Sequence, residues 1–132
     1  MVDTGSTIAR ICFCLTVFVS LGFNACSSRQ LGGLDENLAA ESLKRVLDSW
    51  RRGETMESLK QQSPSIIVND PAWAEGRKLT DYKLKDAGKS DGRNLHCTVE
   101  LFFAGSGADA RQSVTYIVGT HPVITVFRDN NY

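Results

Sequence analysis

The sequence carries no net charge: 15 Lys and Arg balance 15 Asp and Glu, and no dense Lys/Arg cluster upsets that balance locally. With no basic field to concentrate phosphate backbones, nucleic-acid binding is not expected. Histidine is scarce, at two copies, His96 and His121. His96 adjoins Cys97, which puts the two on opposite faces of a strand, so no metal site is expected. Gly-x-Ser-x-Gly, Cys-x-x-Cys and phosphate-cradling glycine loops are missing as well, which removes the common signatures of hydrolases, dithiol redox proteins and nucleotide binders. No cofactor is implied. A long hydrophobic run is also lacking. The most apolar stretch, Ile11 to Phe23, is 13 residues, short of the ~20 a membrane-spanning helix needs.

That short run follows Arg10 and closes on Asn24-Ala25-Cys26-Ser27-Ser28. A basic residue, a short apolar segment and small residues at the exit describe a secretory signal peptide over residues 1–25. A plain peptidase site wants small residues at −1 and −3, and Phe23 is too large for the latter. A cysteine directly after the cut resembles the bacterial lipoprotein lipobox, although Phe23-Asn24-Ala25 matches its usual Leu-Ala/Ser-Gly/Ala at one position of three. The resemblance implies acylation of Cys26, a membrane partner through that N-terminal lipid anchor, and residence on the exported side of the bacterial cell envelope. Each buried methylene contributes ~0.8 kcal/mol to such anchoring. The alternative is ordinary cleavage near Ala25 and a secreted product. Cys12 and Cys14 leave with the signal. Lipidation of Cys26 leaves Cys97 alone, an inert core thiol by its apolar surroundings; without lipidation a Cys26–Cys97 bridge is formally open.

Residues 26–34 are small, polar and glycine-bearing, and read as a flexible tether. Residues 35–132 read as one domain. Asp35 or Asn37 can cap a helix whose apolar residues Leu38, Ala39, Leu43, Val46, Leu47 and Trp50 share one face, with Glu41 four residues before Arg45 as a supportive pair and Gly53 as the stop. A short helix is expected over Met56–Gln62, capped by Thr55 and ended by Pro64. Ile66-Ile67-Val68 is β-prone, and Asn69-Asp70-Pro71 signals a turn before one helical turn at 72–75. Strand patterns follow at 79–86, 94–103, 113–118 and 123–127, separated by turns at 87–92, 105–110 and 119–122. The segment Leu95, Cys97, Val99, Leu101, Phe103 alternates most cleanly. The expectation is an α+β domain: a long and a short helix packed on a curved antiparallel sheet of about four strands, with the strands in a meander.

The stretch Leu47-Asp48-Ser49-Trp50-Arg51-Arg52-Gly53-Glu54, then Met56–Leu59 and Ser65–Val68, resembles the opening of nuclear-transport-factor-2-like domains. A cystatin-like layout, one helix wrapped by an antiparallel sheet, competes with it. The first resemblance implies a cone-shaped cavity used for isomerase or dehydratase chemistry, ligand binding or protein contacts. Enzymes of that kind place a carboxylate with a histidine or tyrosine in the cavity. Candidates are Asp70, Asp81, Tyr82, His96, Glu100, Tyr116 and His121, with Tyr116 and one carboxylate, Asp70 or Asp81, the best catalytic set. Each has a plainer reading. Asp70 before Pro71 is a turn residue; Tyr116 packs with one hydrogen bond; His96 and Glu100, about 13 Å apart along a strand at ~3.3 Å per residue, face solvent; His121 sits in a surface turn. Trp50 is a helix anchor, and Trp73, with Tyr82, is a candidate for exposed contact with a ligand or partner. The sequence thus points to a non-catalytic binding or interaction module, with an enzyme as the alternative.

Overall fold

The computed structural model describes residues 32–131. The expected signal segment, Cys26 and most of the expected tether lie outside these residues. The described chain is α+β. Helix α1 spans Glu36–Arg51; Asp35 caps it, its carboxylate accepting from the Leu38 amide at 2.9 Å, and its buried face is Ala39, Leu43, Val46, Leu47 and Trp50. Arg45 does not join Glu41; it donates to Gln62 Oε1 at 2.5 Å, tying α1 to the segment after helix α2, Met56–Lys60. Helix α3 is a single turn, Pro71–Ala74.

Six strands form one sheet: β1 Ile66–Asn69, β2 Leu79–Leu84, β3 Lys89–Ser90, β4 Asn94–Phe103, β5 Arg111–Gly119 and β6 Ile124–Arg128. Their order is β1-β6-β5-β4-β2, with β3 also on β4. The expected antiparallel meander is present from β2 through β6. The sheet as a whole is mixed, because β1 runs parallel to β6, with Ile66 opposite Ile124 and Val68 opposite Val126. The expectation of an all-antiparallel, roughly four-stranded sheet is corrected on both counts. A four-residue apolar strand has two inward side chains to bury, and β6, last in the meander, offers the free edge that buries them. The turn at 87–92 contributes the two residues of β3. There Gly88 has φ +89°, and a Cβ on it would stand 2.8 Å from both the Cys97 sulfur and Leu95, so the turn closes directly onto β4.

The sheet curls around α1. Ile66, Val68, Leu79, Leu95, Cys97, Val99, Leu101, Tyr116, Val118, Ile124 and Val126 meet the helix in one core with Leu59 and both tryptophans. Burial raises the Cys97 thiol above its usual range, which suits a packing residue and not a nucleophile.

Candidate functional site

The densest polar cluster in the core forms where α3 meets β5 and β6. Pro71 sits in the first turn of α3, where its missing N–H costs nothing, and Asp70 before it is the N-cap. Asp70 Oδ1 accepts from the amides of Ala72 at 2.9 Å and Trp73 at 3.2 Å. Its Oδ2 accepts from the Tyr116 hydroxyl at 2.5 Å, and Arg128 Nη1 approaches Oδ1 at 3.4 Å. Arg128 also donates through Nη2 to Gln112 Oε1 at 2.8 Å. Asp70 and Tyr116 are each 1 % exposed. Strand parity explains the meeting: Tyr116 and Arg128 are direct cross-strand neighbours, and Arg128 shares the inward face with Ile124 and Val126.

Burial, followed by the charge and hydrogen bond of Asp70, pushes the Tyr116 phenol well above its usual range. Tyr116 is therefore a donor at neutral pH and not a base. Asp70 holds four donors on its two oxygens. Among the described residues no buried side-chain polar atom lacks a partner. An open cleft of about 660 Å³ lies alongside, lined by Arg128 and Gln112 of the cluster together with Pro71, Glu75, Arg77 and Thr115. Asp70 and Tyr116 do not line it.

The other candidates scatter. Asp81 is exposed and lies 3.6 Å from Arg51; it does not approach Tyr116 in the manner of Asp70. Tyr82 is half-buried and donates to Asp48 Oδ1 at 3.0 Å, with its phenol raised first by burial and then by that bond. His96 bonds Asp91 at 2.8 Å, and this bond, with the Asn94 and Arg93 amides, holds the Asp91 carboxyl far below its usual range. His121 is exposed. Glu100 corrects its expectation of solvent exposure: it is buried on the outward side of β4 because the Arg111 guanidinium bonds its carboxylate and lies over the neighbouring Phe102 ring. The Arg111 hydrogen bond lowers the Glu100 carboxyl.

Trp73 also corrects its expectation. It is buried and stacks on Trp50 with ring centroids 5.2 Å apart and planes 4° from parallel. Its indole N–H donates to the Glu54 carbonyl, and that of Trp50 donates to the Arg77 carbonyl. Both rings are thus satisfied internally and offer no face to a ligand. Arg77 in turn covers the Phe103 ring at 3.8 Å. Sequence reasoning missed Arg128 and Gln112. Parity was the available signal, since an arginine two residues beyond Val126 points inward and needs an acid. Among the described residues no group of three His, Cys, Asp or Glu side chains could hold a metal, and no described helix is long and apolar enough to cross a membrane. Comparison with known protein families, with curated proteins and with solved structures finds no match for this chain.

Proposed function

We propose that the chain is a small lipoprotein of the bacterial cell envelope, anchored through Cys26, whose domain is a non-catalytic binding or interaction module. One observation carries the non-catalytic reading: among the described residues the tyrosine–carboxylate pair that converges in the core, Tyr116 and Asp70, is buried and committed to internal hydrogen bonds. A general base must reach its proton within hydrogen-bond distance, and neither group has a free approach. The cleft beside them supplies concave surface with arginine, glutamate, glutamine and threonine side chains, the mix of a site that orients a polar ligand or a partner's chain.

The enzyme reading, a cone-shaped domain with isomerase or dehydratase chemistry, draws on the convergence of Asp70 with Tyr116 near that cleft. Saturation of Asp70 weighs against it. The curled sheet around α1 is compatible with a nuclear-transport-factor-2-like or a cystatin-like layout, and chemistry follows from a site, not from either layout.

The anchor is tested by growing cells on labelled palmitate. Label should enter the wild-type chain and vanish from Cys26→Ser. Label that persists in Cys26→Ser overturns the anchor. Native mass spectrometry of the protein released in mild detergent tests the module: a noncovalent companion should be present and should be lost when Ser113→Trp fills the cleft. A companion indifferent to that change, or none, removes the cleft from the reading.

A further inference from the structure

Among the described residues three large apolar side chains are exposed, Ile67, Val123 and Phe127, at 36 %, 41 % and 40 %. Single exposed apolar residues need no explanation, but a cluster does. These three lie together. Along β6 the inward side chains are Ile124 and Val126, so Thr125 and Phe127 project from the outer face, and exposed Val123 stands immediately before the strand. On β1 the buried pair is Ile66 and Val68, which turns Ile67 outward, in register with Thr125. Phe127 is paired on its other side with Ile117. The far half of the same face is charged, carrying Lys83 opposite Glu100 on β2 and β4. The exposed apolar side chains of the outer sheet face are therefore gathered toward the β1 edge, with Thr125 and Asn69 between them.

The position of the tether says what covers it. The Asp35 amide donates to Thr120 Oγ1 at 2.9 Å, so the chain joins α1 against the turn that leads into Val123. Nine residue steps separate Cys26 from Asp35, which bounds their separation at about 30 Å. An acylated Cys26 thus holds the β5–β6 turn, and the apolar column starting at Val123, within reach of the bilayer. We infer that the outer face of β1 and β6 is the membrane-facing surface of the domain, with Val123, Phe127 and Ile67 resting in the lipid headgroup region. This inference rests on the lipid-anchor reading. Docking a small apolar patch adds a second, weaker contact to the acyl chains, and the tether makes that contact effectively intramolecular. It orients the domain so that the charged β2–β4 half of the face points away from the bilayer.

The test uses the full-length acylated chain in vesicles of phosphatidylglycerol and phosphatidylcholine whose acyl chains carry bromine, a quencher of indole emission. Phe127→Trp and Val123→Trp each add one indole on the patch; Lys83→Trp adds one on the charged half. Buried Trp50 and Trp73 give a constant background that the parent chain subtracts. The added emission at 127 and 123 should shift to the blue and be largely lost on brominated vesicles, while that at 83 should be unchanged. Acylated protein with no quenching at 127 or 123 overturns the docking and leaves the anchor standing. Equal quenching at all three positions overturns the orientation. An unmodified Cys26 by mass spectrometry overturns the anchor and the docking with it. A blue shift without quenching, in a protein that runs as a dimer, shows a second copy on the face and overturns membrane docking. Should either patch variant fail to fold, hydrogen exchange on the wild-type acylated chain reads the same contact: β1 amides should exchange more slowly on vesicles than in detergent, and equal rates overturn the proposal.

Discussion

Two clusters in this molecule are built from the same three residue types. In one, Tyr116 donates to Asp70 at 2.5 Å beside Arg128. In the other, Tyr82 donates to Asp48 at 3.0 Å, with Arg51 3.2 Å from the same carboxylate and 5.8 Å from the tyrosine ring. Residue type does not separate them; solvent does, together with the two amides that Asp70 also accepts as the cap of α3. Asp70 is closed to water while the Asp48 side chain is 36 % exposed. A buried acceptor that loses its donor keeps its desolvation cost, whereas an exposed one recovers water. The inner cluster should therefore hold the fold together, and the outer one should barely register.

Removing the centre of the inner cluster gives the largest expected effect. Asp70→Ala strips α3 of its cap, leaves the Tyr116 hydroxyl unpaired and strands the Arg128 charge, whose side chain is 15 % exposed. Loss of one member of a buried ion pair costs about 3–5 kcal/mol. Denaturant unfolding should show that loss, and a cost near that of an exposed residue would show that water already reaches Asp70. Tyr116→Phe is next. It preserves the ring and its packing but leaves Asp70 Oδ2 without its donor, for an expected cost of about 1–3 kcal/mol. A neutral result would mean that Oδ2 is rehydrated through the neighbouring cleft, and would reopen the possibility of solvent-accessible chemistry there.

Alkaline pH probes the same contrast without mutation. The folded-state value of Tyr116 lies well above its ordinary one, so the folded chain binds that proton more tightly than the unfolded chain. Its stabilising contribution is whole below the ordinary tyrosine value of about 10 and declines as pH rises beyond it. Stability should fall above that pH in the wild type and fall less in Tyr116→Phe. An ultraviolet titration in which every tyrosine ionises at its ordinary value with the fold intact would contradict the closure of the inner cluster.

The long helix was legible because every level agreed: Asp35 as cap, one apolar face from Ala39 to Trp50, and Gly53 after the end. The alternation of β4 was legible for the same reason. The parallel docking of β1 on β6 was not, since pairing Ile66 with Ile124 depends on which edge the meander leaves free. The inner cluster was half legible. The sequence pairs Tyr116 with either Asp70 or Asp81 and reads Asp70 as a turn residue from Asn-Asp-Pro; local signals cannot choose between the two carboxylates or report that β5 and β6 roof the turn over. Trp73 is a similar case: adjacency to Pro71 suggests an exposed contact, while the stacking partner Trp50 that buries it lies a helix away. Glu100 shows the limit of parity, which assigns a face but not whether a long neighbouring side chain covers it.

The outer cluster yields the smallest expected effect and the sharpest test of the comparison. Tyr82→Phe removes a hydroxyl from a carboxylate that water and Arg51 still serve, so the cost should be about 0.5–1 kcal/mol or less, the net worth of an ordinary hydrogen bond. Solvent screening discounts the charged member further, as exposed ion pairs contribute about 0–1 kcal/mol. Double-mutant cycles pairing each tyrosine with its aspartate isolate the two couplings on one scale. A coupling for Tyr116–Asp70 well above that for Tyr82–Asp48 points to burial, because the cycle isolates the tyrosine–aspartate pair from the two amides that only Asp70 accepts. Equal couplings would mean that the 3.0 Å contact is as protected as the 2.5 Å one, and the surface of α1 facing β2 would then need to be counted as core.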